Sequence, residues 1–171
     1  SELYGVIREA AGDAVVIACN AVSHLSAGIF EVYRTGDDTS GRLWSRTRAY
    51  GVNTLAFRLC QNDAFYKIDA DCVGIIPGKI DWSLNRQWLD ILSVSGSPLF
   101  ISVKPDDITD GMKEDIKKAF SRNSGQKDKA EPLDWLYNNQ PQCWLINGEK
   151  REYDFVENSY PELLSGSTQS Y

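Results

Sequence analysis

At 171 residues, 42% hydrophobic and 25% charged, the chain is long enough for one domain with a proper core and too apolar to be disordered. A net charge of −6 argues against a nucleic-acid partner, which calls for a basic face, and the longest uncharged apolar stretch, residues 14–19, is far short of the roughly 20 residues that cross a bilayer. One histidine, His24, and four scattered cysteines, Cys19, Cys60, Cys72 and Cys143, contain no CxxC pair, so no metal site is expected, and reduced thiols leave the compartment open.

Residues 3–10 read as a helix and 14–18 as a short buried strand. A second strand is expected over 29–33, closed by the acidic turn Arg34-Thr35-Gly36-Asp37-Asp38. Leu43, Thr47 and Tyr50 share one stripe of a helix over 40–50, and a second helical piece continues over 54–61. The third strand, 65–68, runs into Asp69-Ala70-Asp71-Cys72. Asp81 is placed as the N-cap of a helix in which Leu84, Trp88, Ile91 and Leu92 make one buried face, ended by Gly96. The fourth strand, 99–103, is apolar on both faces as in a parallel sheet, and Met112, Ile116, Ala119 and Phe120 repeat the helical spacing after it.

Strand and helix in alternation predict an α/β fold with a parallel sheet over residues 1–122. A polar linker is expected at 123–131, and residues 132–171 carry a hairpin and tail. Strands at 143–146 and 152–155 flank Asn147-Gly148, the dipeptide of a type I′ turn, and 165–171 are expected to fray.

The chemistry is concentrated at the strand ends. Carboxylates there are how a barrel builds an active site, and Arg34, four residues before Asp38, sets a fixed positive charge beside an acid. Asp37 competes with Asp38 on proximity, and Asp37-Asp38-Thr39-Ser40 also fits a plain helix N-cap. Asp69 and Asp71 fit loop acids capping backbone amides, and Asn85, Arg86 and Gln87 fit a helix surface. His24 has no acidic neighbour in sequence to orient it and reads as a loop or rim residue. Five Trp and eight Tyr suit stacking on sugar rings, although each is first of all core material.

Taken in order, Arg34-Thr35-Gly36-Asp37-Asp38-Thr39, Ile68-Asp69-Ala70-Asp71-Cys72, Asn85-Arg86-Gln87-Trp88 and Ser95-Gly96-Ser97-Pro98-Leu99-Phe100-Ile101-Ser102 resemble the second half of the catalytic barrel of alpha-galactosidases (melibiases), the retaining glycoside hydrolases of families 27 and 36. The similarity covers about residues 15–104. It implies the C-terminal half, strands five to eight, of a (β/α)8 TIM barrel that cleaves terminal α-linked galactosides by double displacement, with no cofactor. On that resemblance Asp38 is the acid/base and Arg34 its partner, Asp71 and Cys72 contact the substrate, and Cys19 and Asn20 help recognise sugar hydroxyls.

In the family the nucleophilic aspartate closes the fourth strand, and no strand precedes Val15 here. The expectation is therefore a fragment, inactive alone, whose two open strand edges at 15–18 and 99–103 pair with an N-terminal half-barrel or with a second copy. Two other readings stay open: a carbohydrate-binding or self-assembling module that kept the pocket without the reaction, and a flavodoxin-like α/β domain. No Gly-rich phosphate loop follows a strand, which argues against a nucleotide version of the latter.

Overall fold

Helix α1 (Glu2–Ala11) opens the computed structural model, which describes residues 2–125 and 129–155. Leu3, Val6 and Ile7 recur on one side of α1, yet all three are exposed and none of its residues is buried. A helix this short is marginal in water unless its apolar face is covered.

Five short parallel strands follow: β1 (Ile17–Ala18), β2 (Val32–Arg34), β3 (Lys67–Asp69), β4 (Val73–Ile75) and β5 (Ile101–Val103). β1 pairs with β2 and β2 with β3, while β4 pairs with β5. Only Ala70-Asp71-Cys72 separates β3 from β4, and Asp71 sits there at φ 74°, so one interrupted stretch of chain joins the two parallel sheets. Ile68, Ala70 and Val73 on this stretch are fully buried, as a strand covered on both faces requires. Among the described residues, the outer edges of β1 and β5 pair with no other strand.

The crossovers are helical. A single turn, α2 (Ser23–Ser26), links β1 to β2. Between β2 and β3 run α3 (Trp44–Arg46), a π-helical segment (Thr47–Val52), α4 (Asn53–Arg58) and a 3₁₀ turn (Leu59–Gln61), which together make one long irregular helix. The helix expected from residue 40 begins at Trp44 because Ser40 and Gly41 take φ of 56° and 69°. A side chain on Gly41 would collide with the backbone of Gly74 in β4, so the loop after β2 lies directly on that strand.

Helix α5 (Trp82–Val94) starts where expected: Asp81 caps it by accepting from the Ser83 amide at 2.8 Å. Trp88, Ile91 and Leu92 are fully buried, and Gly96 leaves the helix at φ 79°. Thr109 caps α6 (Asp110–Ser124), which packs on α5 through Met112, Ile116 and Ala119. Phe120, expected on the same stripe, is exposed. Helix α6 runs into the residues read as linker, through Asn123 and Ser124.

An antiparallel sheet closes the described chain: β6 (Ala130–Pro132), β7 (Cys143–Ile146) and β8 (Glu149–Glu152) in that order. Asn147 and Gly148 both take positive φ, 53° and 83°, as a type I′ turn demands. Trp144, Ile146, Tyr153 and Phe155 join the same core as Trp44, Leu55 and Trp88. The expected frayed tail, 165–171, lies outside the described residues. No described helix is long and apolar enough to cross a membrane.

Candidate active site

Arg34 is the last residue of β2 and stands in register with Asp69, the last residue of β3. Their neighbouring positions bring the two side chains together at the C-terminal end of the parallel strands. Arg34 Nε donates to Asp69 Oδ2 at 2.8 Å, Nη2 lies 3.1 Å from Asp71 Oδ1, and Nη1 donates to Asp38 Oδ1 at 3.3 Å. One guanidinium thus faces three carboxylates, and the cluster keeps an excess of negative charge.

The three acids differ in exposure. The side chain of Asp69 is 1% exposed, that of Asp71 9% and that of Asp38 72%. Asp69 accepts the Asp71 amide at 2.8 Å through Oδ1, which fixes the left-handed turn at Asp71. Asp71 Oδ2 accepts the Thr39 amide at 2.6 Å, and the Thr39 hydroxyl lies 3.0 Å away. That hydroxyl is also 2.8 Å from the Cys72 carbonyl and has one proton to give to either. Both oxygens of Asp71 are therefore engaged within the protein, whereas Asp38 projects into solvent. Asp37, its competitor, pairs with Arg46 at 3.0 Å and accepts the Asp38 amide at 2.7 Å, so it braces the loop.

Burial pulls the Arg34 guanidinium toward a lower pKa, but the Asp69 hydrogen bond and the charges of Asp69 and Asp71 outweigh it and hold the pKa above the ordinary arginine value. Cys72 is half-buried beside Asp71, and burial first, the Asp71 charge second, push its thiol up to about 11. Cys19, just beyond β1, is exposed and stands beside Arg34 in strand order, because Ala18 pairs with Tyr33; Asn20 follows at φ 56°, also exposed. Arg34, Asp38, Asp71 and Cys72 thus converge, Cys19 stands near them, and Asn20 occupies the adjoining turn.

Asp69 and Thr39 have larger roles than their sequence suggested. The signal for Asp69 was its place in strand register with Arg34, which needs the pairing of β2 with β3 to be known. Thr39 carries no local signal, because its partners lie 32 and 33 residues ahead.

No family model matches this chain, and no curated protein matches it in sequence. Among solved structures it is similar to an alpha-galactosidase from Thermus thermophilus in complex with p-nitrophenyl alpha-D-galactopyranoside, with a TM-score of 0.64 and 16% identity, over 91% of this chain and 33% of that one. The chain spans about a third of the length of that neighbour. The likeness is one of fold: an α/β chain with the architecture of part of an alpha-galactosidase.

Proposed function

We propose that the chain forms strands five to eight of a (β/α)8 barrel of the retaining alpha-galactosidase type, families 27 and 36, and hydrolyses terminal α-linked galactosides when joined to an N-terminal half. The observation that carries this reading is the Arg34-centred cluster at the C-terminal strand ends, the end where barrel enzymes place their chemistry. The fold shared with the Thermus thermophilus enzyme adds to it.

In this reading Asp38 is the acid/base. It is the one carboxylate of the cluster open to a ligand, and Arg34 holds it from one side. Buried Asp69 fixes Arg34, and Asp71 with Thr39 fixes the loop that carries Asp38. Arg34, Asp71, Cys72, Cys19 and Asn20 form the wall against which sugar hydroxyls are recognised. Glycoside cleavage passes through a transition state with positive charge on the sugar ring, and a cluster with more carboxylate than guanidinium stabilises that charge more than it stabilises the neutral substrate. The nucleophile comes from the other half.

The test is release of nitrophenol from p-nitrophenyl α-D-galactopyranoside. Joined to its N-terminal half, the protein is expected to lose about 10²–10⁴-fold in kcat on Asp38→Asn. An unchanged rate removes Asp38 from the reaction, and brisk turnover by the 171-residue chain alone removes the need for the second half.

A further inference from the structure

Away from the acidic cluster, a cleft of about 940 Å³ opens at the other end of the strands, between the start of β3, the residues leading into β5, and the segment that follows β6. Its most conspicuous side chain is Trp135, 45% exposed, with Phe57 of α4 edge-on to it at 5.8 Å and 81°. An indole left half in water on a free surface is ordinary; here the backbone beneath it is pinned. The amides of Tyr137 and Asn138 donate to the Asp134 carbonyl at 3.2 and 3.0 Å. The buried Asp134 carboxylate accepts from Asn138 Nδ2, the Gln142 amide and the Cys143 amide at 2.9, 3.1 and 3.1 Å. Asn53 of α4 donates to the Asn139 carbonyl at 2.5 Å and ties the turn to the helical layer. Trp135 is therefore held out ready-ordered, which lowers the entropic cost of stacking a ligand on it.

The polar lining narrows what that ligand is. Two lysines, Lys67 and Lys129, face two carboxylates, Asp63 and Glu131, and their charges cancel. Lys67 already pairs with Asp63 at 2.6 Å. With no net charge the lining favours neither an anion nor a cation as a whole, and a wholly apolar ligand would cover these charges without satisfying them. A neutral ring with hydroxyls on its rim and C–H groups on its face fits both demands: the aromatic face takes the C–H groups, and Asn62, Glu131 and Lys129 take the hydroxyls.

We infer that this cleft is a second, non-catalytic carbohydrate site that takes one pyranose unit of a neutral oligosaccharide on Trp135. The inference rests on the sugar reading of the chain and adds a binding position remote from Asp38.

The experiment follows the indole N–H signals of the full 171-residue chain by ¹H–¹⁵N NMR during titration with melibiose, with Trp135 assigned by the signal missing in Trp135→Phe. The Trp135 signal is expected to move saturably, equally in wild type and Asp38→Ala, and Trp135→Ala, followed through the backbone amides of Lys129 and Glu131 in the cleft, is expected to bind about tenfold or more weakly. Trp135 is exposed, so these substitutions leave the core intact. If the amides of Arg34 and Asp38 move while the Trp135 indole stays still, the second site is wrong and the sugar reading stands. If none of them moves, the second site is wrong, while the sugar reading, which needs the N-terminal half, is judged by the nitrophenol assay. If the indole answers an uncharged apolar dye such as Nile red but no sugar, the cleft is an apolar docking surface and the inference is overturned.

Discussion

Asp69 holds a buried charge in place through one guanidinium and has nothing else of opposite sign within reach in the cluster. Asp69→Asn removes one of the three carboxylates that meet Arg34 while Asp71 and Asp38 stay paired with it, and loss of this buried charge-assisted hydrogen bond costs about 1–3 kcal/mol. The expected result is a fall in the urea midpoint, whereas Asp38→Asn, at an exposed side chain, is expected to leave the midpoint within about 0.5 kcal/mol. Cys72 makes a separate prediction. Its raised pKa means the folded state favours the neutral thiol, so its contribution to stability is complete below the unfolded pKa near 9 and is lost as pH climbs through about 11. Iodoacetamide at pH 8.5 is accordingly expected to alkylate exposed Cys19 and Cys60 before Cys72, as read by mass spectrometry of the digested chain. The spacing of Arg34 and Asp38 was legible in the sequence because it is local. The duty of Asp69 was not, since it depends on a strand partner 35 residues away.

The span of helix α5 was legible in the sequence, because its cap, its stripe and its terminating glycine are contained in sixteen consecutive positions, Asp81 to Gly96, but Asn85, read as helix surface, is buried and donates to the Gly74 carbonyl of β4 at 3.0 Å. The strands were harder. Each is only two to four residues long, so hydrophobic runs located them while their ends were set by pairing. β4 went unforeseen because Asp71 and Cys72 interrupt the run that leads to it. The stripe of Leu43, Thr47 and Tyr50 assumed a uniform helical period, which the π segment from Thr47 to Val52 breaks by widening the turn. The approach of Gly41 to Gly74 belongs to this scale too, because it fixes the loop that carries Asp38 against β4. Gly74→Ala drives a methyl group into the Gly41 backbone and is expected to cost about 1–3 kcal/mol, measured as a lowered midpoint with an unchanged m-value.

At the scale of the molecule, one side chain ties the helical layer to the terminal sheet. Asp90 of α5 accepts from Arg122 of α6 at 2.6 Å through Oδ1, and from Arg151 of β8 and the Tyr153 hydroxyl, both at 2.7 Å, through Oδ2. Burial pushes Asp90 up, but the hydrogen bonds from Tyr153, Arg122 and Arg151 prevail and hold it below the usual carboxylate value. Its contribution is therefore present above the unfolded pKa near 3.9 and disappears as pH falls through the lowered folded value. Asp90→Asn is expected to cost about 1–3 kcal/mol at pH 7, with the gap between variant and wild type narrowing below about pH 4 in acid titrations monitored by circular dichroism. No sequence rule pairs residues 61 and 63 apart, so this node was invisible before the fold was known.

The depth at which the terminal sheet enters the core also sets a schedule. Arg48 Nε donates to the carbonyl of Phe155 at 2.6 Å across 107 residues, and Phe155 packs against Trp44 with ring centres 6.2 Å apart. On a ribosome adding roughly 5–20 residues per second, Trp44 and Arg48 wait on the order of 5–20 s before their partner is synthesised. During synthesis Trp44 thus sits in an unfinished core, and Phe155, three residues past β8, is the side chain whose arrival ends its exposure to chaperones and to neighbouring nascent chains.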